Sequence, residues 1–101
     1  MLTSQARFET PNGSKYLQQL CKHLGHRVDV TFDEMSGQAQ LRPGPATLTA
    51  DTDGLSVVVT APDKDGIDQA RHVIEDHLVR FAFREKLEKL DWSKPADPAG
   101  A

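Results

Sequence analysis

The sequence predicts an α+β fold, a two-layer sandwich in which two helices pack on one face of an antiparallel sheet of about four strands. Two segments have apolar residues at helical spacing, the others alternate between apolar and polar residues, and the order is strand, helix, strands, helix. At 101 residues the chain has the length of one ordinary domain. We assign that domain to residues 1–92 and predict a disordered tail over residues 93–101, which contain little apolar material.

The first strand and the first helix come from the N-terminal quarter of the chain. Alternation over residues 5–10 predicts the strand, which ends at Pro11. Asn12 or Ser14 can cap the helix that follows, and Gly25 provides its C-terminal stop. The helix has one apolar face, formed by Tyr16, Leu17, Leu20, Cys21 and Leu24.

The second strand follows that stop. A period of two places Val28, Val30 and Phe32 toward the interior and the residues between them toward water. Residues 34–37 have the composition of a hairpin connection, so the next strand should run back antiparallel to this one.

The rest of the sheet is predicted as a meander over residues 39–61. The return strand starts at residue 39 and is interrupted by Pro43-Gly44-Pro45, which suggests a bulge or a sheet edge. Alternation resumes over residues 46–50, and Asp53-Gly54 makes the turn into the most regular strand, residues 55–61.

A long second helix is predicted after this strand. Asp63 is a suitable N-cap, and Asp65 lies in the first turn, where the helix dipole favours negative charge. We expect the helix to continue through Phe83 to about Leu87. Its apolar face consists of Ile67, Ala70, Val73, Ile74, Leu78 and Phe81.

Composition and charge exclude several functional classes. A formal net charge of −3 gives no electrostatic footprint for nucleic acid. The N-terminus has neither the basic nor the apolar part of a signal peptide, and no stretch reaches the ~20 apolar residues that span a bilayer. With a single cysteine, Cys21, the chain is expected to be a cytoplasmic protein without membrane or nucleic-acid partners.

Three potential metal ligands lie close together at the end of the first helix: Cys21, His23 and His26. Residues two apart on a helix point to nearly opposite sides, so Cys21 and His23 would not bind one ion, whereas His23 and His26 could. A structural zinc site needs four ligands, and no second motif completes the set. The alternative is that Cys21 is a small buried apolar residue and both histidines lie on the surface.

The second helix carries His77 on its inward stripe. An inward histidine needs a polar partner, and backbone or carboxylate groups usually provide it. The alternative is a catalytic pair with Cys21, since both residues would face the same interior. Without an oxyanion-stabilising group or a third activating residue, this pair is weak support for an enzyme, and we assign no catalytic residue.

Charged and aromatic residues are concentrated near the end of the second helix. Arg80 and Arg84 are four apart and could together hold an anion, although such pairs are more often solvated. Phe83 and Trp92 lie off the main apolar stripe. They could form, with the sheet edge near Pro43, a surface for a partner or a second copy.

Two runs of the sequence, KYLQQLCKHLGH at residues 15–26 and DHLVRFAFRE at residues 76–85, resemble the signature segments of a bacterial family of small stand-alone proteins of unknown function. With the turn at residues 32–34 between them, the resemblance covers about residues 3–92. A similar domain precedes the flavin-binding reductase unit in some siderophore-interacting proteins. The resemblance therefore implies a link to iron handling, with a siderophore-interacting reductase as a partner, and it implies no catalytic residue.

The sequence favours an accessory or binding domain, with siderophore or iron handling as its context. The main alternative is a structural interaction or homodimerisation module, and the third is a small Cys/His enzyme. We assign neither a cofactor nor a metal. The candidate ligand-binding residues are Cys21, His23, His26, His77, Arg80 and Arg84.

Overall fold

A computed structural model describes residues 1–87 and 89–97. Alternating and helical segments form where the sequence predicts them, and a single 3₁₀ turn, Phe83–Glu85, follows the last helix. In chain order the elements are β1 (Leu2–Glu9), α1 (Gly13–Leu24), β2 (Val30–Phe32), β3 (Ser36–Gln40), β4 (Pro45–Asp51), β5 (Gly54–Ala61) and α2 (Lys64–Phe81).

The five strands form one antiparallel sheet in the order β1-β5-β4-β3-β2. Strand residues alternate between buried and exposed along β3 and β4, so one face is apolar and the other is rich in Thr, Ser and Gln. Helix α1 packs on the β2 to β5 part of the buried face, and α2 packs on β5 and β1. The predicted two-layer α+β sandwich is confirmed.

The sheet has one strand more than predicted, because Pro43 and Gly44 do not interrupt a strand. They lie in the connection between β3 and β4, and Pro45 is the first residue of β4, opposite Gln40. Proline is tolerated at a strand's first residue. The predicted sheet edge near Pro43 is wrong: the outer strands are β1 and β2, and β4 is interior.

Strand β2 is the shorter of the two edge strands. Val30 and Phe32 pair with Ala39 and Gly37 of β3, which places them on the inner face as predicted. Phe32 nevertheless stays 40% exposed, because an edge strand has a neighbour on one side only.

The predicted continuation of α2 to Leu87 is wrong. The helix begins with Asp63 as its cap, accepting a hydrogen bond from the Gly66 backbone N–H at 2.7 Å, but it ends at Phe81. The 3₁₀ turn follows, and Lys86 then takes a left-handed conformation with φ of 59°. The physical reason is tertiary: the Glu85 carboxylate accepts three hydrogen bonds from the start of α1, which turns the chain away from the helix axis.

The segment after the 3₁₀ turn lies against β1. The Ser93 backbone N–H donates to the Gln5 carbonyl at 2.8 Å, and Thr3 and Ala96 exchange two backbone hydrogen bonds. This segment includes the first residues of the predicted disordered tail, whereas residues 98–101 of that tail lie outside the described residues. Within the described ranges, neither helix is long and apolar enough to cross a membrane.

Candidate functional site

A groove of about 970 Å³ runs between the C-terminal end of α1, the β3–β4 connection and the C-terminal two-thirds of α2. Its wall on α2 follows from helical spacing, because Gln69, Val73, His77 and Arg80 are three or four residues apart and so share one face. The other lining residues are His23, Leu24, Arg27, Val28, Leu41, Arg42, Pro43, Ala70 and His72.

The floor of the groove is apolar. Leu24, Leu41 and Ala70 are buried in the core, and Val28 and Val73 are half-buried against it. Polar and charged side chains lie around this floor. An apolar concave surface with a few polar groups at its rim is the usual form of a small-molecule site.

Two histidines from different helices meet in the groove. The ring centroids of His23 and His77 are 4.4 Å apart, and the Phe81 ring lies 5.9 Å from the first and 6.2 Å from the second. The His77 Nδ1 atom lies 2.6 Å from the Val73 carbonyl oxygen, so Nδ1 carries the proton and Nε2 is the acceptor when the ring is neutral. One of the two histidines is thus oriented by the backbone of α2.

The surroundings of His23 disfavour its protonation. Its pKa is lowered from the ordinary value of 6.5, first by desolvation and then by the positive charge of its neighbours. Those neighbours come from both sides of the groove: His26 and Arg27 follow His23 in the chain, and His77 and Arg80 belong to α2. Positive charge is therefore concentrated here.

The structure brings together three of the six predicted ligand-binding residues: His23, His77 and Arg80. The His26 ring lies 6.4 Å from the His23 ring but does not line the groove. The Arg84 guanidinium lies 5.8 Å from the centre of the Phe83 ring, in the 3₁₀ turn. Arg80 and Arg84 do not share a helical face, because α2 ends between them.

Cys21 lies apart from the groove. Its side chain is fully buried, and its sulphur lies beside Gly37 of β3. Burial raises the pKa of the thiol to about 11, which disfavours a reactive thiolate. The geometry does not support the alternative of a catalytic pair with His77. In the part of the chain that the structure describes, no three His, Cys, Asp or Glu side chains are placed to hold a metal ion.

Three further residues line the groove that the sequence pattern did not indicate as site residues: Arg27, Arg42 and His72. Arg27 follows the end of α1 and Arg42 precedes Pro43, so both lie in connections, where periodicity gives no orientation. His72 belongs to α2, on a side of the helix that borders the groove. The available signal was a single arginine in each of two connections, the one after α1 and the one between β3 and β4.

Together these features define a small two-layer α+β domain with a basic, apolar-floored groove between its helices. Residues 5–93 match a family described as "Uncharacterized protein conserved in bacteria (DUF2218)", and the chain belongs to this family. The chain is also similar to PA4090 from Pseudomonas aeruginosa, whose structure was solved by NMR. The two share 30% sequence identity with a TM-score of 0.78, over 93% of this chain and 97% of PA4090. A comparison with curated proteins gave no match.

Proposed function

We propose that this domain is an accessory module that binds a small molecule in the groove between α1 and α2. The observation that carries the proposal is the groove itself, which combines about 970 Å³ of space with an apolar floor and the paired rings of His23 and His77. Both helices pack on the sheet, so two walls of the groove are built on rigid elements, and the β3–β4 connection completes it.

Ferric siderophores are the first candidate ligands, because of the resemblance to the domain that precedes some siderophore-interacting reductases. The family description and the name of the Pseudomonas relative state no ligand. A reductase partner and a cytoplasmic location belong to the same proposal. The groove's volume is in the range of known small-molecule sites.

Nitrogen-15 NMR titration tests the proposal directly. Siderophores loaded with gallium(III) in place of iron(III), which avoids paramagnetic broadening, are added to the full chain, and free zinc is added separately. We expect shifts of the His23, Arg42 and His77 amides. The Gln69→Trp variant, which fills the groove from its rim, should reduce them, while Lys64→Trp at the start of the same helix should not.

A titration with gallium siderophores that leaves these three amides unchanged would reject siderophores as ligands. The groove is rejected as a binding site if a small-fragment screen also shifts only residues outside it. It is likewise rejected if Gln69→Trp leaves the ligand-induced shifts of the groove amides unchanged.

One observation favours the alternative of an interaction module: the Phe83 ring is 67% exposed. Of the other members of the predicted surface, Trp92 is half-buried and Pro43 lies in the groove. Light scattering over a range of concentrations tests this alternative. A dimer that Phe83→Ser dissociates would support it, and a monomer at all concentrations would count against it.

A further inference from the structure

The charged side chains that line the groove are of one sign in the part of the chain that the structure describes. Three arginines and three histidines line it, and none of the described lining residues is an aspartate or a glutamate. The chain as a whole carries a net charge of −3, so this local excess of positive charge runs against the composition. The basic residues are Arg27, Arg42, Arg80, His23, His72 and His77.

Two arginines of the groove, Arg27 and Arg42, lack the partners that Arg7 and Arg71 have among the described residues. Arg7 pairs with Asp51 at 2.9 Å and also with a neighbouring glutamate, and the Arg71 guanidinium donates to the Ser4 hydroxyl. By contrast, no described carboxylate lies within 4.0 Å of the Arg27 or Arg42 guanidinium.

The third arginine of the groove is only weakly engaged. Arg80 pairs with Asp76 at 3.3 Å across one helical turn, and its side chain is 70% exposed. Exposed pairs of this kind contribute little to stability. All three guanidiniums can therefore donate hydrogen bonds to a ligand without breaking a strong contact of the fold.

We infer that the groove binds a small amphipathic anion, in which a carboxylate, sulfonate or phosphate group is attached to an apolar body. The arginines would donate to the anionic group, and the floor formed by Leu24, Val28 and Val73 would contact the apolar part. This inference rests on the proposed function and adds the chemical class of the ligand.

A matched pair of fluorescent probes measures how much the negative charge of a ligand contributes to its affinity for the groove. The anion 8-anilino-1-naphthalenesulfonate and the neutral N-phenyl-1-naphthylamine share one aromatic skeleton and differ in the sulfonate. Both are titrated into the full chain, and NMR shifts locate the bound probe. We expect the sulfonate to bind in the groove about tenfold more tightly than the neutral probe, as for one charge-assisted contact.

Three variants with the same change in charge test the arginines. Arg27→Gln and Arg42→Gln should each weaken sulfonate binding by about fivefold and leave the neutral probe unaffected. Arg84→Gln, outside the groove, should change neither affinity.

Three other outcomes separate the two proposals. The proposal of an anionic ligand is overturned if both probes bind the groove with equal affinity, or if Arg84→Gln weakens sulfonate binding as much as the groove variants do. Either result still leaves the groove as a small-molecule site. Failure of both probes to shift any groove amide overturns the anionic class and counts against the groove as a binding site.

Discussion

The imidazole rings of His23 and His77 lie 4.4 Å apart and join the last turn of α1 to α2. Desolvation and the neighbouring positive charges lower the pKa of His23 below the 6.5 of an ordinary histidine. Near pH 6.5, His23 therefore binds more protons in the unfolded chain than in the folded chain. The stability that follows from this difference is present above pH 6.5 and is lost as the pH falls through the lowered pKa.

We expect His23→Asn to weaken the dependence of unfolding free energy on pH below about 6.5, compared with the wild type. Urea unfolding at pH 5.5 and pH 7.5 measures the change in unfolding free energy between the two pH values. His72→Asn, which also removes one histidine from the groove, is the control. Equal pH dependence in His23→Asn and the wild type would contradict the prediction.

The Glu85 carboxylate holds the 3₁₀ turn against the start of α1. It accepts hydrogen bonds from the Thr10 hydroxyl at 2.6 Å, the Asn12 amide at 3.1 Å and the Tyr16 hydroxyl. These donors lower the pKa of Glu85, and burial together with the carboxylate raises that of Tyr16 to about 12.

Glu85→Ala should lower the free energy of unfolding by about 2 kcal/mol, because it leaves three donors without their acceptor. Chemical denaturation at pH 7 measures the loss. Glu34→Ala removes an exposed carboxylate and should cost less than about 0.5 kcal/mol. Similar values for the two variants would refute a structural role for the Glu85 contacts.

The Glu75 carboxylate holds the segment after the 3₁₀ turn on α2. It accepts from the Trp92 indole N–H at 3.1 Å and from the Leu90 backbone N–H at 3.0 Å, and the Arg71 guanidinium lies 6.0 Å from the Trp92 ring. Trp92 is the chain's single tryptophan, so its fluorescence reports on this segment alone.

Glu75→Ala should release the indole, shift the Trp92 emission to longer wavelength and increase its quenching by acrylamide. Asp76→Ala removes the adjacent carboxylate, which contacts Arg80 instead, and should leave the emission unchanged. Unchanged emission and quenching in Glu75→Ala would show that other contacts hold the segment.

Gly37 is a close-packing position opposite α1. A methyl group there would come within 2.7 Å of the Cys21 sulphur and 3.1 Å of the Phe32 Cβ atom. The crowding outweighs the smaller entropy gain of replacing glycine, so Gly37→Ala should cost about 2 kcal/mol of unfolding free energy.

A double-mutant cycle with Cys21→Ala identifies the contact. Removing the sulphur makes room for the methyl group, so Gly37→Ala should cost at least about 1 kcal/mol less in that background. An unchanged cost would attribute the crowding to Phe32.

The buried Cys21 thiol, with its pKa raised to about 11, should react with iodoacetamide far more slowly in the folded chain than in the urea-unfolded chain. Fast labelling of the folded chain would instead support the alternative of a Cys/His enzyme.

Local signals predicted the elements well and their ends less well. Asp63 could be predicted as the cap of α2 because capping involves neighbouring residues only. Its carboxylate accepts a hydrogen bond from the backbone N–H of Gly66, three residues further along the chain. Asn12, predicted as a possible cap of α1, lies at the right position, but its side chain donates to Glu85. The end of α2 was not predicted because it depends on the hydrogen bonds of Glu85. Their donors lie near the N-terminus, too far away in the chain for local sequence patterns to reveal them.

The sequence by itself determined the two helical faces, the alternation of the strands, and the placement of most histidines and the cysteine on helices. Each of these follows from local periodicity, which relates residues a few positions apart. The tertiary structure alone decided that His23 meets His77, that Cys21 turns toward Gly37, and that Arg27 and Arg42 border the same groove. These relationships depend on how α1, α2 and the β3–β4 connection pack on one sheet, and that packing is set by contacts between residues far apart in the chain.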